Sequence, residues 1–141
     1  MDRPFRSLPL VTDENEHFWR GGAEGELRIL RCQDCQSWLH PPAPLCGECL
    51  SRELTPEATS GLGTIATFTV NRHPWIPGFD PPYVVAIVEI EEQPSLRLMT
   101  NLVDCTPDDV AIGMAVEVTF EDAGEDDIFL PLFRPRRDAA A

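Results

Sequence analysis

From residue 61 onward, apolar and polar positions alternate in short bursts. In GLGTIATFTVNR (61–72), Ala66, Phe68 and Val70 fall on one face and Ile65, Thr67 and Thr69 on the other, the period of two expected of a half-buried strand. YVVAIVEIE (83–91) begins apolar on both faces, and SLRLMTNLVD (95–104) follows a turn at Gln93-Pro94. In AVEVTFED (115–122), Val116, Val118 and Phe120 face inward while Glu117, Thr119 and Glu121 face outward. IFLPLFRP (128–135) completes the set, and TPDDVAIGM (106–114) reads as a helical turn or Ω-type connection ending at Gly113. Five short strands with little helix predict a small barrel, and the connector between the third and fourth fits the OB type. In the last strand Leu130 and Leu132 point one way, and Phe129 and Phe133 the other. Pro131 cannot donate a ladder hydrogen bond, so this strand is expected at an edge, its apolar residues covered by a partner.

The first 60 residues follow another pattern. Pro4 and Pro9 mark residues 1–12 as an extended arm. Asp13 and Glu16 have capping-box spacing and precede Phe18 and Trp19, so a short helix is expected over 13–20, with a second turn before Gly25. ELRILR (26–31) reads as a strand, and the polar SRELTPEATSG (51–61) as a hinge.

Between these lies RCQDCQSWLHPPAPLCGECL (31–50), in which Cys32, Cys35, Cys46 and Cys49 form C-x2-C-x10-C-x2-C. Each pair can aim two sulfurs at one point, and two facing pairs make the tetrahedral thiolate cage that suits zinc. The rival readings are a redox dithiol or two disulfides. A redox motif needs one pair at a helix start, and neither pair opens a helical pattern. Four thiolates fill the coordination sphere, so one structural zinc per chain is expected, with His40 left out of the ligand set. Gln36 and Leu50 follow the knuckles, where glycine would ease a positive φ. Cys105 stands apart and reads as a buried or half-buried small residue. The resulting division is arm and helix 1–25, zinc ribbon 26–55, barrel 56–135 and disordered tail 136–141.

HPWIPGFDPP (73–82) breaks the strand pattern. It carries four prolines with Trp75, Ile76 and Phe79, and it exceeds the usual hairpin loop of roughly two to five residues. A stiff apolar loop is expected to be either a contact surface or a lid on the barrel. His73, Trp75, Ile76 and Phe79 are therefore contact candidates, as are Leu130, Leu132 and Phe133 of the last strand. Trp38 and Leu39 at the ribbon tip join them.

Charge narrows the functions available. The chain has 24 acidic and 11 basic residues, a formal −13, and every basic residue is arginine. A zinc tetrathiolate would lower that total further. Nucleic acid and anionic membranes are disfavoured as partners, and no apolar run is long enough to span a bilayer. The start lacks a signal-peptide pattern, so a cytoplasmic location is expected. His17, His40 and His73 sit in no recognisable acid–base or nucleophile arrangement, and no G-x-S-x-G, phosphate loop or H-E-x-x-H occurs. The carboxylates of EDAGEDD (121–127) read as a solvated turn without EF-hand spacing. No catalytic residue is expected; the chain reads as a binding or scaffolding protein.

The order of FWRGGAEGELRILRC, the two knuckles with PP before the second, GTIATFTV, PPYVVAIVEIE, LMTNLVD, IGMAVEVTFED and LPLFRP resembles the zinc-ribbon OB-fold family associated with acyl-CoA metabolism, long catalogued as a domain of unknown function. The resemblance covers about residues 13–135. Gln36 and Leu50 depart from it, since the family often has glycine there. It implies a mainly β fold with a helical N-terminus, a rubredoxin-like ribbon and an OB barrel. It also implies partnership with thiolase-superfamily enzymes, among them a lipid-transfer-protein-like aldolase that cleaves a β-hydroxyacyl-CoA in steroid side-chain breakdown. Other members bridge a thiolase and a hydroxymethylglutaryl-CoA synthase, or are fused to a MaoC-like hydratase. On this reading the carbon–carbon chemistry belongs to the partner, and acyl-CoA lies at the shared interface, where Arg72 or Arg134 meets its phosphates. The lysine-free composition favours the GC-rich, steroid-degrading setting. The alternatives are a bridging subunit of another thiolase or acyl-CoA enzyme, a free-standing acyl-CoA-binding protein and, last, a nucleic-acid-binding OB protein.

Overall fold

The computed structural model describes residues 6–137, so residues 138–141 of the expected tail and the first five of the arm lie outside the described residues. Residues 6–12 carry no helix or strand, yet they are not a free arm. Leu8 and Val11 pack with Trp19 on a small cluster of Ala123, Ile128 and Leu130. Helix α1 is Glu16–Arg20 and continues as a 3-10 turn over Gly21–Glu24 that ends at Gly25, φ +72°. The expected start at 13 is three residues early. Asn15 takes the N-cap position, its Oδ1 accepting the Thr12 N–H at 2.7 Å, and residues 13–15 form a turn. Gly21 and Gly22 do not end the helical segment either. Gly22 permits its approach to the barrel, because a Cβ there would lie 2.5 Å from Phe129 Cβ and 2.6 Å from Phe120 Cδ1.

Three strands form the ribbon sheet: β1 (Arg28–Cys32), β2 (Trp38–Leu39) and β3 (Leu54–Ala58), in the order β2-β1-β3. The polar segment read as a hinge is thus partly a strand. β3 pairs antiparallel with β1 from Arg28↔Ala58 to Cys32↔Leu54. Its exposed Thr55 and Pro56 give no alternation to read, and the pairing is supplied by β1 rather than by its own sequence.

The body is a closed barrel of β4 (Leu62–Asn71), β5 (Tyr83–Ile90), β6 (Arg97–Leu102), β7 (Ala115–Asp122) and β8 (Phe129–Pro135), in the order β4-β5-β6-β8-β7. The connector holds a 3-10 turn at Pro107–Asp109. Two expectations change here. A β-bulge at Ala66, where Ile65 pairs with Val88 and Thr67 with Ile87, flips the alternation of β4. Ile65, 1% exposed, therefore joins the core against which Phe68 and Val70 pack, rather than facing away from them. Likewise, β8 is no edge. It pairs along its length with β7 and meets β6 in parallel at Leu102↔Phe133. Thr100 Oγ1 donates to the Pro131 carbonyl at 3.1 Å, so this residue's backbone polar edge faces the sparsely paired β6/β8 seam. The missing N–H of Pro131 falls there and costs the β7 ladder nothing.

One buried cluster joins the parts. Phe18 of α1, Leu27, and Ile29 and Trp38 of the ribbon sheet pack with Ile65, Val88, Ile90, Val116 and Phe133 of the barrel. Gln93, in the β5–β6 turn, pins the ribbon to the barrel through backbone groups of Trp38. Its Oε1 accepts the Trp38 N–H at 2.9 Å and its Nε2 donates to the Trp38 carbonyl at 3.1 Å.

Candidate functional site

The two Cys-x-x-Cys segments build matching knuckles. The Gln36 N–H donates to the Cys32 carbonyl at 2.9 Å, and the Leu50 N–H to the Cys46 carbonyl at 3.0 Å. Both turns require a left-handed residue, and Gln36 (φ 67°) and Leu50 (φ 64°) supply it without glycine, at a strain of about 1–2 kcal/mol each. The knuckles face each other, bringing Cys32, Cys35, Cys46 and Cys49 together with all four sulfurs within 4.8 Å of one another. Across the pair, Cys32–Cys49 is 3.6 Å and Cys35–Cys46 is 3.5 Å. A tetrahedron with metal–sulfur bonds of roughly 2.3 Å has sulfur–sulfur edges of about 3.8 Å, so the four cysteines are positioned to bind one metal ion. The sulfurs also need a cation. The Ser37 hydroxyl and backbone N–H pull Cys35 down to about 6. The Ser51 N–H favours the Cys49 thiolate, but the crowding thiols of Cys32, Cys35 and Cys46, with burial, push Cys49 up to about 12. Four sulfurs this close cannot all ionise unless a dication offsets them.

His40 stays outside this cluster. Its ring lies 4.7 Å from Phe18, and burial, with His17 nearby, lowers its pKa to about 4. His17 is lowered by burial and by Arg28, against the opposing pull of Glu16, and its buried Nε2 has no hydrogen-bond partner. Cys105 is half-buried and away from the thiolate cage, with its pKa raised by burial first and then by Asp109 and Asp104.

The contact candidates separate into two groups. Trp75 is 68% exposed and Ile76 40%, and Arg72 and His73 are exposed beside them. Trp38, by contrast, is buried between ribbon and barrel, with Arg31 stacked on its ring at 4.7 Å, and Leu39 is half-buried, so neither forms an open ribbon tip. The exposed apolar residue of the ribbon is Leu50. Leu130 and Leu132 are buried but lie along the wall of an apolar groove, while Phe133 is wholly inside the core. Arg134 is occupied by Glu117 at 3.0 Å and Asp104 at 4.0 Å and is poorly placed for a phosphate.

The 73–82 loop is both surface and lid. While Trp75 and Ile76 stand out, Phe79 turns inward against Tyr83, with ring centroids 4.4 Å apart, and beneath the Arg6 guanidinium at 4.8 Å. Arg6 also donates to Glu121 at 2.6 Å and Asn101 at 2.7 Å, tying the N-terminal segment, β6, β7 and the loop into one node. On one side of this node lies an apolar groove of about 480 Å³, walled by Leu8, Trp19, Ile76, Val85, Met99 and Leu132. On the other lies a more polar one of about 480 Å³, reaching Asp80, Asp104 and Cys105. Sequence reading missed Arg6, Tyr83 and Met99. Met99, 70% exposed and paired with Ile87, carried a usable signal: an apolar residue at an outward position between Arg97 and Asn101. Among the described residues no helix is long and apolar enough to cross a membrane.

Two family models cover most of the chain: the ChsH2 rubredoxin-like zinc ribbon domain matches residues 19–55, and the ChsH2 C-terminal OB-fold domain residues 57–121. A probable enoyl-CoA hydratase alpha subunit of Thermomonospora curvata is 36% identical over 94% of this chain, which spans 41% of that protein. A 3-oxo-4,17-pregnadiene-20-carboxyl-CoA hydratase alpha subunit of Mycobacterium tuberculosis is 38% identical over 81% of this chain, which spans 36% of it. A DUF35 domain-containing scaffold protein of Methanocaldococcus jannaschii is 37% identical over 69% of each. A chain of the solved Ltp2-ChsH2(DUF35) aldolase superposes with a TM-score of 0.80 at 37% identity, over 91% of this chain and 98% of that one.

Proposed function

The chain belongs to the DUF35 family of ChsH2-type zinc-ribbon OB-fold proteins, and from that membership we propose that it is a non-catalytic accessory subunit of a thiolase-superfamily enzyme. The enzyme is a lipid-transfer-protein-like aldolase that cleaves a β-hydroxyacyl-CoA, in the setting of cytoplasmic steroid side-chain degradation. This chain stabilises it and helps form its acyl-CoA site. The observation that carries the reading is the likeness to the Ltp2-ChsH2(DUF35) aldolase chain over 98% of that chain's length. One feature supports it: a proline-stiffened apolar loop stands beside an apolar groove. One zinc ion on Cys32, Cys35, Cys46 and Cys49 is structural, since four thiolates leave no position for water or substrate.

The test is co-expression with a thiolase-superfamily aldolase subunit. The two chains co-elute, and the aldolase is soluble and active only when this chain is present. Separate elution with a fully active aldolase overturns the proposal, as does thioester turnover by this chain alone. The identities of 36% and 38% to hydratase alpha subunits favour a second reading, in which the chain serves an enoyl-CoA hydratase. Co-elution with a hydratase subunit in place of the aldolase selects it.

A further inference from the structure

Trp75 combines exposure with fixation. Its ring is 68% exposed, yet its only donor, the indole N–H, is bound to Asn71 Oδ1 at 2.7 Å. Asn71 is itself held by Nδ2 donating to the His73 carbonyl at 2.6 Å, and the Trp75 backbone N–H donates to the same carbonyl at 2.9 Å. The His73 ring lies 4.2 Å from the indole. Pro74 and Pro77 stiffen the flanks. A tryptophan left in water with its pose already set loses little entropy when it is buried. Its N–H is also satisfied within the chain, so burial leaves no orphan donor.

Arg72 adds a charge argument. Arg6, Arg28, Arg31 and Arg134 are each engaged by carboxylates. Among the described residues Arg72 makes no ion pair or side-chain hydrogen bond, and it is exposed. In a chain of formal charge −13, an unopposed guanidinium three residues from a fixed, bare indole suits a carboxylate outside the chain.

We infer that Trp75 is a preformed knob that enters a wholly apolar hole on the partner enzyme subunit, with Arg72 pairing with a carboxylate on the rim of that hole. The inference rests on the accessory-subunit reading and assigns the chemistry of the partner's surface. The hole needs no hydrogen-bond acceptor, because Asn71 already provides one. Ile76, 40% exposed next in sequence, widens the knob.

The experiment titrates the full chain against the thiolase-superfamily subunit that co-purifies with it. Trp75→Ala weakens binding roughly 30-fold or more with no change in melting temperature. Asn71→Leu weakens it roughly tenfold, because the indole N–H then enters the hole unpaired. In a Trp75→Phe background, which has no N–H to satisfy, Asn71→Leu costs several-fold less, because only its tie to the His73 carbonyl is then lost. Arg72→Ala mainly slows association and flattens its salt dependence. Binding of Trp75→Ala within twofold of wild type overturns the inference while leaving the accessory role standing; absence of any complex removes both. An Asn71→Leu loss as large beside Trp75→Phe as in the wild type also overturns it. So does a saturable change in the isolated chain's tryptophan fluorescence on adding coenzyme A that is lost in Trp75→Ala, which would make Trp75 a stacking platform for a nucleotide.

Discussion

The ribbon and the barrel hold their shapes on different length scales. The ribbon's four cysteines span residues 32–49, and its knuckles close on hydrogen bonds four residues apart. Its sheet is small, with β2 only two residues long. The barrel has no such staple. It closes by joining Leu62 to Glu117 and Leu102 to Phe133, far apart in sequence, and its cohesion is the burial of Ile65, Val88, Ile90, Val116 and Phe133. A short segment can be specified by ligand spacing because a metal supplies what a small core cannot. A barrel must be specified by every strand at once.

The sharpest way to break the comparison is to remove a sulfur. If the four cysteines hold zinc as proposed, Cys46→Ser takes it from one per chain to none and unfolds the ribbon, a loss on the order of 10 kcal/mol of binding energy. Metal analysis and backbone amide spectra check it. Barrel resonances that collapse together with those of the ribbon would show that the two are not separable. Next in size, Phe133→Ala opens a cavity in the barrel and lowers unfolding free energy by about 3–5 kcal/mol, read from denaturant melts, while zinc content is retained.

The junction between the regions is predicted to be softer. Gln93→Ala leaves the Trp38 backbone groups unpaired and costs about 1–3 kcal/mol, seen as faster amide exchange at the ribbon–barrel seam. Acid acts at the same junction. His17 and His40 have folded pKa values below the usual 6.5, so their contribution is fully present above about pH 6.5 and is lost as pH falls toward the folded values. A drop from pH 7 to 5 costs roughly 1–2 kcal/mol through His40, and His40→Gln flattens that slope in melts with zinc content monitored throughout. The smallest effect is a gain: Leu50→Gly relieves the left-handed strain and raises stability by about 1 kcal/mol.

Much of the site was legible because it is local. The spacing of Cys32, Cys35, Cys46 and Cys49 specified a four-sulfur cage, and the positive φ expected at Gln36 and Leu50 follows from the same turn. The exposed Trp75 and Ile76 were visible as apolar residues among prolines. The burial of Trp38 and Leu132 was not, because a tip and an edge are properties of what lies across the fold. Ile65 was assigned to the wrong face, since one extra residue at Ala66 reverses the phase of everything before it.

Taken alone, the order of residues determined the five barrel strands and the clustering of four cysteines, which depend on alternation and spacing between near neighbours. Only the tertiary structure decided that β8 is interior, that β3 belongs to the ribbon sheet and that Gln93 locks the two regions together. Those outcomes depend on which distant backbone edge finds which partner, and no local periodicity encodes that choice.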